Sequence, residues 1–167
     1  GVVVNQRALD NADSYEFASL LNPPAGDYLI EIDPSSDDTG GYAFRLLDAS
    51  TATVFTPGNL VNGSVSPGVG TALYRFSAKA GDRFYYDGRP RTGFSSSVFI
   101  RLYSPLDGIV FQQTEIGSDI DVFSVPFTGD YLLAIEGRYV DTAPTGNFAF
   151  LLQPVADSTN TVAITDT

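Results

Sequence analysis

The sequence says nearly the same thing twice. PPAGDYLIEI at residues 23–32 returns as PFTGDYLLAI at residues 126–135, so that Gly26 matches Gly129 at an offset of 103. Further matches keep the same order. GVVVNQ (1–6) resembles GIVFQQ (108–113), GYAFRLL (41–47) resembles NFAFLLQ (147–153), and STATV (50–54) resembles STNTV (158–162). The offsets drift by only a few residues, as loop insertions would cause, and a repeat governs the reading of the whole fold. Residues 1–57 therefore correspond to residues 108–167, with 58–107 occurring once, and the chain reads as second half, first half, second half of a unit of about 107 residues. The expected organisation is a second half-unit over 1–57 that packs on or completes a sandwich, a whole unit over 58–155, and the start of a connection to a next unit over 156–167. A half-sandwich standing alone would leave its apolar face in water.

Within the unit the pattern is that of strands. Tyr28, Ile30 and Ile32 alternate with Leu29, Glu31 and Asp33; Tyr74, Phe76 and Ala78 with Leu73, Arg75 and Ser77; Val98, Ile100 and Leu102 with Phe99, Arg101 and Tyr103. A period of two marks strands with one buried face. Ala25-Gly26-Asp27, Ala80-Gly81-Asp82 and Thr128-Gly129-Asp130 place a glycine between apolar runs, and Pro105 presets φ in the turn that ends at Gly108. No sustained 3.6-residue period is present. Short strands at roughly ten-residue spacing, separated by Gly/Pro turns, predict an all-β fold, an antiparallel jelly-roll-like β-sandwich. Tyr28, Tyr42, Tyr74, Tyr131 and Phe148 are expected to fill its core. Tyr85, Tyr86 and Tyr103, whose neighbours are also apolar, are the candidate surface tyrosines for a ligand.

Composition narrows the chemistry. Among 167 residues, 20 are acidic and 9 basic, a net charge of −11, which repels nucleic acid and anionic membrane surfaces. Cysteine, histidine, methionine and tryptophan are all absent. That removes Ser-His and Cys-His nucleophile systems, thiolate chemistry and the usual zinc ligands. A metal would have to be hard and held by oxygen, so calcium is the cofactor these residues invite. Its candidate ligands are Asp33, Asp37 and Asp38 in IDPSSDDTGG, with Asp119 and Asp121 in GSDIDV; Asp10 and Asp13 lie near the place equivalent to the latter pair. DGRPRTG is a local basic patch in which Arg89 and Arg91 could receive an acidic ligand such as a peptide carboxylate. No carboxylate pair is spaced in a way that promises a hydrolytic cleft, and no enzymatic activity is expected. No apolar run approaches the ~20 residues needed to cross a bilayer, and no membrane insertion is expected.

ALYRFSAKAGDRFYYD (72–87), SSVFIRLYSPLDGIVF (96–111) and VPFTGDYLLAIEG (125–137), taken in that order, resemble the bacterial pre-peptidase C-terminal domain. The shared series is a Y-x-F strand leading to A-G-D, a strand ending in a Y-x-P-x-x-G turn, and a T-G-x-Y hairpin. The resemblance implies a jelly-roll-like sandwich found on secreted proteases and in large repetitive surface proteins, where such modules serve secretion, binding or spacing; the similar collagen-binding domains of clostridial collagenases bind calcium. It carries over no binding residues. The expectation is thus a non-enzymatic extracellular module of a large bacterial surface or secreted, adhesin-like protein. Its partners would be neighbouring domains of the same polypeptide and an extracellular protein or glycan. The alternatives are a ligand-binding module for peptide, collagen-like or glycan targets, and an accessory domain of a secreted protease.

Overall fold

A computed structural model describes residues 20–34, 37 and 39–156, the side chain of Gln113 aside. Nine strands run in chain order: β1 (Thr53–Val54), β2 (Leu60–Val65), β3 (Thr71–Ala78), β4 (Arg83–Gly88), β5 (Val98–Tyr103), β6 (Ile109–Glu115), β7 (Ile120–Ser124), β8 (Gly129–Gly137) and β9 (Gly146–Pro154). They form a five-stranded sheet in the order β1-β3-β8-β5-β6 and a four-stranded sheet in the order β2-β9-β4-β7. Every pairing is antiparallel except the two-residue β1–β3 pair. The expected β-sandwich is what forms.

The alternation explains the core. Tyr74, Phe76 and Ala78 of β3, Val98, Ile100 and Leu102 of β5, and Tyr131, Leu133 and Ile135 of β8 turn inward from one sheet. Phe84 and Tyr86 of β4 and Phe148, Phe150 and Leu152 of β9 meet them from the other. Phe76 stacks on Tyr131 with ring centroids 5.6 Å apart, and Tyr86 on Phe150 at 5.7 Å. Gly63 of β2 lies beneath this aromatic layer, where a Cβ would come within 2.2 Å of the Tyr74 hydroxyl and 2.5 Å of the Phe148 ring. Such burial of large aromatic bodies is the main source of stability in a cysteine-free sandwich of this size.

The sandwich starts earlier than the repeat arithmetic placed it. Asp48 caps a 3-10 turn at Ala49–Thr51 by accepting a hydrogen bond from the Ser50 N–H at 2.9 Å. β1 then pairs with Tyr74 and Arg75 of β3. Phe55, just beyond, sets its ring within 5.3–6.2 Å of Phe76, Phe150 and Tyr74. Residues 48–57 thus belong to the same body as 58–155.

Residues 20–34 and 39–48 do not form the strands that their alternation predicts. Among the described residues no strand pairs with them, and Tyr28, Leu29, Ile30, Tyr42, Phe44, Leu46 and Leu47 are exposed. Alternation records that a segment can bury one face; it does not supply the neighbour whose N–H and C=O groups complete a ladder.

The outward side of β5 and β8 is also closed. Arg101 and Glu136 are 0% and 1% exposed, with Nη2 and Oε2 3.5 Å apart. The Arg101 Nη1–H donates to the Tyr103 hydroxyl at 3.3 Å, and the guanidinium lies 5.9 Å from the Tyr103 ring centre.

Candidate functional site

Antiparallel register gathers four loops at one end of the sandwich: residues 66–70, 89–97, 116–119 and 138–145, which follow β2, β4, β6 and β8. The opposite end carries the tight Gly-Asp turns, including Gly81 at φ 89°. Most of the candidate ligand and metal residues that the structure describes fall at the four-loop end.

Arg89 and Arg91 leave β4 together and each meets a carboxylate of this chain. Arg89 pairs with Asp87 at the solvent edge. The Arg91 Nε–H donates to Glu115 Oε1 at 2.6 Å, while Glu115 Oε2 accepts from the Gly117 N–H at 3.0 Å. The backbone fixes the same loop, since Thr92 and Asn147 exchange N–H···O bonds at 2.9 and 2.7 Å. The basic patch legible in DGRPRTG is therefore neutralised within the fold.

Tyr85 is half-buried and its hydroxyl donates to Asp119 Oδ2 at 2.6 Å; Asp119 Oδ1 accepts from the Gly88 N–H at 2.9 Å. These two bonds, Tyr85 first, hold the Asp119 carboxyl below the ordinary carboxylate value, and the same contact raises the Tyr85 phenol. Gly88 fits because the turn after β6 presses against it: a Cβ there would stand 2.6 Å from the Gly117 carbonyl carbon.

Two of the candidate surface tyrosines are corrected. Tyr86 is fully buried, shares its face of β4 with Phe84, and donates to the Ile116 carbonyl at 3.1 Å; burial drives its phenol well above the usual value. Tyr103 is buried on the opposite face of its sheet against Arg101.

Among the described residues the calcium candidates do not converge. Asp119 has both oxygens engaged as above, and Asp121, two residues on and exposed, accepts from the Val122 N–H at 2.7 Å. Asp33 and Asp37 are exposed, and Asp38 lies outside the described residues, as do Asp10 and Asp13. Among the described residues no group of three or more His, Cys, Asp or Glu side chains is placed to hold a metal. Asp119 and Asp121 therefore do not fit a calcium site, which needs six to eight oxygens turned toward one point.

One residue that the sequence did not single out organises this end. Asp141, 6% exposed, accepts from the Ser95 N–H (3.1 Å), the Ser95 hydroxyl (3.1 Å), the Ser96 N–H (3.0 Å) and the Ala143 N–H (2.9 Å). It ties the loop after β4 to the loop after β8. The Ala143 carbonyl in turn receives the Gly68 N–H at 2.9 Å, which adds the loop after β2. Burial alone would raise the Asp141 carboxyl, but the bonds from Ala143, Ser96 and Ser95 outweigh it and the pKa is lowered.

No protein-family model and no curated protein matches the sequence. Among solved structures, the chain is similar to the periplasmic inhibitor of g-type lysozyme from Aeromonas hydrophila, at 18% identity and a TM-score of 0.46, over 62% of this chain and 96% of that one. The Salmonella Typhimurium inhibitor of g-type lysozyme matches at 15% identity and a TM-score of 0.43, over 61% and 98%. The pre-peptidase C-terminal domain of a Bacillus anthracis collagenase matches at 15% identity and a TM-score of 0.47, over 61% and 94%. Among the described residues no helix is long and apolar enough to cross a membrane.

Proposed function

We propose that this chain is a non-catalytic β-sandwich module of a large secreted or surface protein of bacterial type, and that it acts as a rigid structural unit among neighbouring domains of its own polypeptide. The observation that carries the reading is how the polar side chains at the four-loop end are used. Arg89, Arg91, Tyr85, Asp119 and Asp141 each bond a group of this chain, so their charge and hydrogen-bonding capacity go into holding loops together. A site built to take a ligand keeps such groups convergent on an open space. The strong negative charge and the absence of cysteine suit an extracellular array of repeated units.

A second reading, a binding module for an extracellular protein or glycan, draws on the exposed Arg89 and Asp119 and the half-buried Tyr85, which solvent reaches. Binding of the purified chain to collagen-like peptides and to a glycan array separates the two. The structural reading expects no binding that depends on this cluster. Binding that is present in the parent chain and lost in Arg89→Ala/Arg91→Ala would overturn it in favour of the second.

Calcium belongs to this proposal only through the acidic loop of Asp33, Asp37 and Asp38. Thermal unfolding with excess calcium and again with chelator tests it. A clear rise in Tm with calcium, abolished by Asp33→Asn/Asp37→Asn/Asp38→Asn, is the expected result for a calcium-stabilised module. Equal Tm values in the two conditions remove calcium from the account.

A further inference from the structure

The two copies of the repeated sequence stand in opposite environments. In the sandwich, Tyr131, Leu133, Phe148 and Phe150 are 0–4% exposed. Their counterparts by the repeat, Tyr28, Ile30, Tyr42 and Phe44, are 51–62% exposed. The contrast extends to the glycines. A Cβ on Gly129 would meet the Pro105 ring at 2.8 Å, whereas Gly26, Gly40 and Gly41 have nothing within 4 Å. Yet the local turn is the same in both copies: the Tyr131 hydroxyl donates to the Phe127 carbonyl four residues back, and the Tyr28 hydroxyl donates to the Pro24 carbonyl four residues back. The earlier segment thus keeps the repeat's apolar pattern and its starting turn while lacking the surface that covers the later one.

What covers the later copy is known in register. β8 lies between β3 and β5, with Tyr131 opposite Phe76, Leu133 opposite Tyr74 and Leu102, and Ile135 opposite Ala72 and Ile100. β9 lies between β2 and β4, with Phe148 opposite Gly63 and Phe150 opposite Val61 and Gly88. By the sequence matches, residues 1–47 carry counterparts of β6 to β9 and nothing that corresponds to β1 to β5. We propose that residues 20–34 and 39–47 are a docking segment, and that their occupant is a β1–β5 half-sandwich of the same repeat, chemically like residues 48–107, which closes over Tyr28, Ile30, Tyr42 and Phe44 to make a second sandwich. The strands β3 and β5 of this chain cannot serve, because each already holds β8. This inference rests on the repeat and on exposure, and holds wherever the protein works.

Arg45 gives a direct readout, since it is exposed and is the only Lys or Arg within residues 20–47. The test compares tryptic cleavage after Arg45 in the full chain with cleavage in a chain that carries a second copy of residues 48–107 fused ahead of Gly1. Cleavage is expected to slow by at least ~100-fold in the fused chain, as it does when a site moves from an open segment into a cooperatively folded strand. Tyr28→Asp in the fused chain should restore fast cleavage at Arg45 and leave the sandwich of residues 48–156 resistant. The proposal is overturned by fast cleavage at Arg45 in the fused chain. It is equally overturned if the unfused chain already resists cleavage at Arg45 and has the mass of a dimer in solution, which would make a second copy of this chain the occupant.

Discussion

Asp141 shows how a single carboxylate can govern a loop-rich end. Its four acceptor contacts join segments 46 residues apart in sequence, and they hold its pKa below that of an unfolded chain. The sign follows directly: the stabilisation is present above the unfolded pKa of about 4 and is lost as pH falls through the lowered folded value. Acid titration of Tm should therefore show a steeper fall below about pH 4 in the parent chain than in Asp141→Asn. At neutral pH, Asp141→Ala should cost about 2 kcal/mol in urea unfolding by stranding the N–H groups of Ser96 and Ala143. Arg101 and Glu136 make a complementary case. Arg101→Leu leaves a buried carboxylate and should cost about 3–5 kcal/mol, while Arg101→Leu/Glu136→Leu should recover most of the loss. If the double variant is as unstable as the single one, the buried pair is not the reason for the cost. Neither Asp141 nor the Arg101–Glu136 pair stands out in the sequence, because each meets its partners through strand register and not through local spacing.

At the scale of elements, period-two alternation located β3, β5, β8 and β9 and identified the face of each that enters the core, since Tyr74, Phe76, Ile100, Tyr131 and Phe148 all lie where alternation puts them. It could not say whether the other face was also covered. That is why Tyr103, beside Arg101 on the outward face of β5, stands as a surface candidate in the sequence, whereas Tyr86, in phase with Phe84, lies on the core face that alternation itself marks. Nor could it say whether a strand has a neighbour, which is why residues 28–32 and 41–47 carry the pattern without the ladder. The candidate site was legible in its residue types, with Arg89, Arg91, Tyr85 and Asp119 indeed gathered at one end, but not in their mutual neutralisation by Asp87 and Glu115. Gly63 tests the packing of elements. A methyl group there collides with Tyr74 and Phe148 from both sheets, so Gly63→Ala should destabilise by about 1–3 kcal/mol in urea unfolding. A neutral effect would mean that the aromatic layer over β2 yields easily.

At the scale of the whole molecule, one repeated phrase is used in two ways. The sandwich of residues 48–156 encloses its copy between two sheets, and the segment 20–47 presents the other copy to solvent. In the proposed reading, the −11 charge, the absence of cysteine and the mutually bonded side chains of the loop end suit repetition along a polypeptide, with the exposed apolar residues of 20–34 and 39–47 as the place where one unit would engage the next. The central claim is this difference between the two copies. Hydrogen exchange of the intact chain, read by mass spectrometry on peptides spanning residues 28–32 and 131–135, tests it most directly. The account expects the amides of 131–135 to exchange at least ~100-fold more slowly than those of 28–32, because only the former open with the core. Equal protection of the two peptides would contradict it and place both copies inside one folded body.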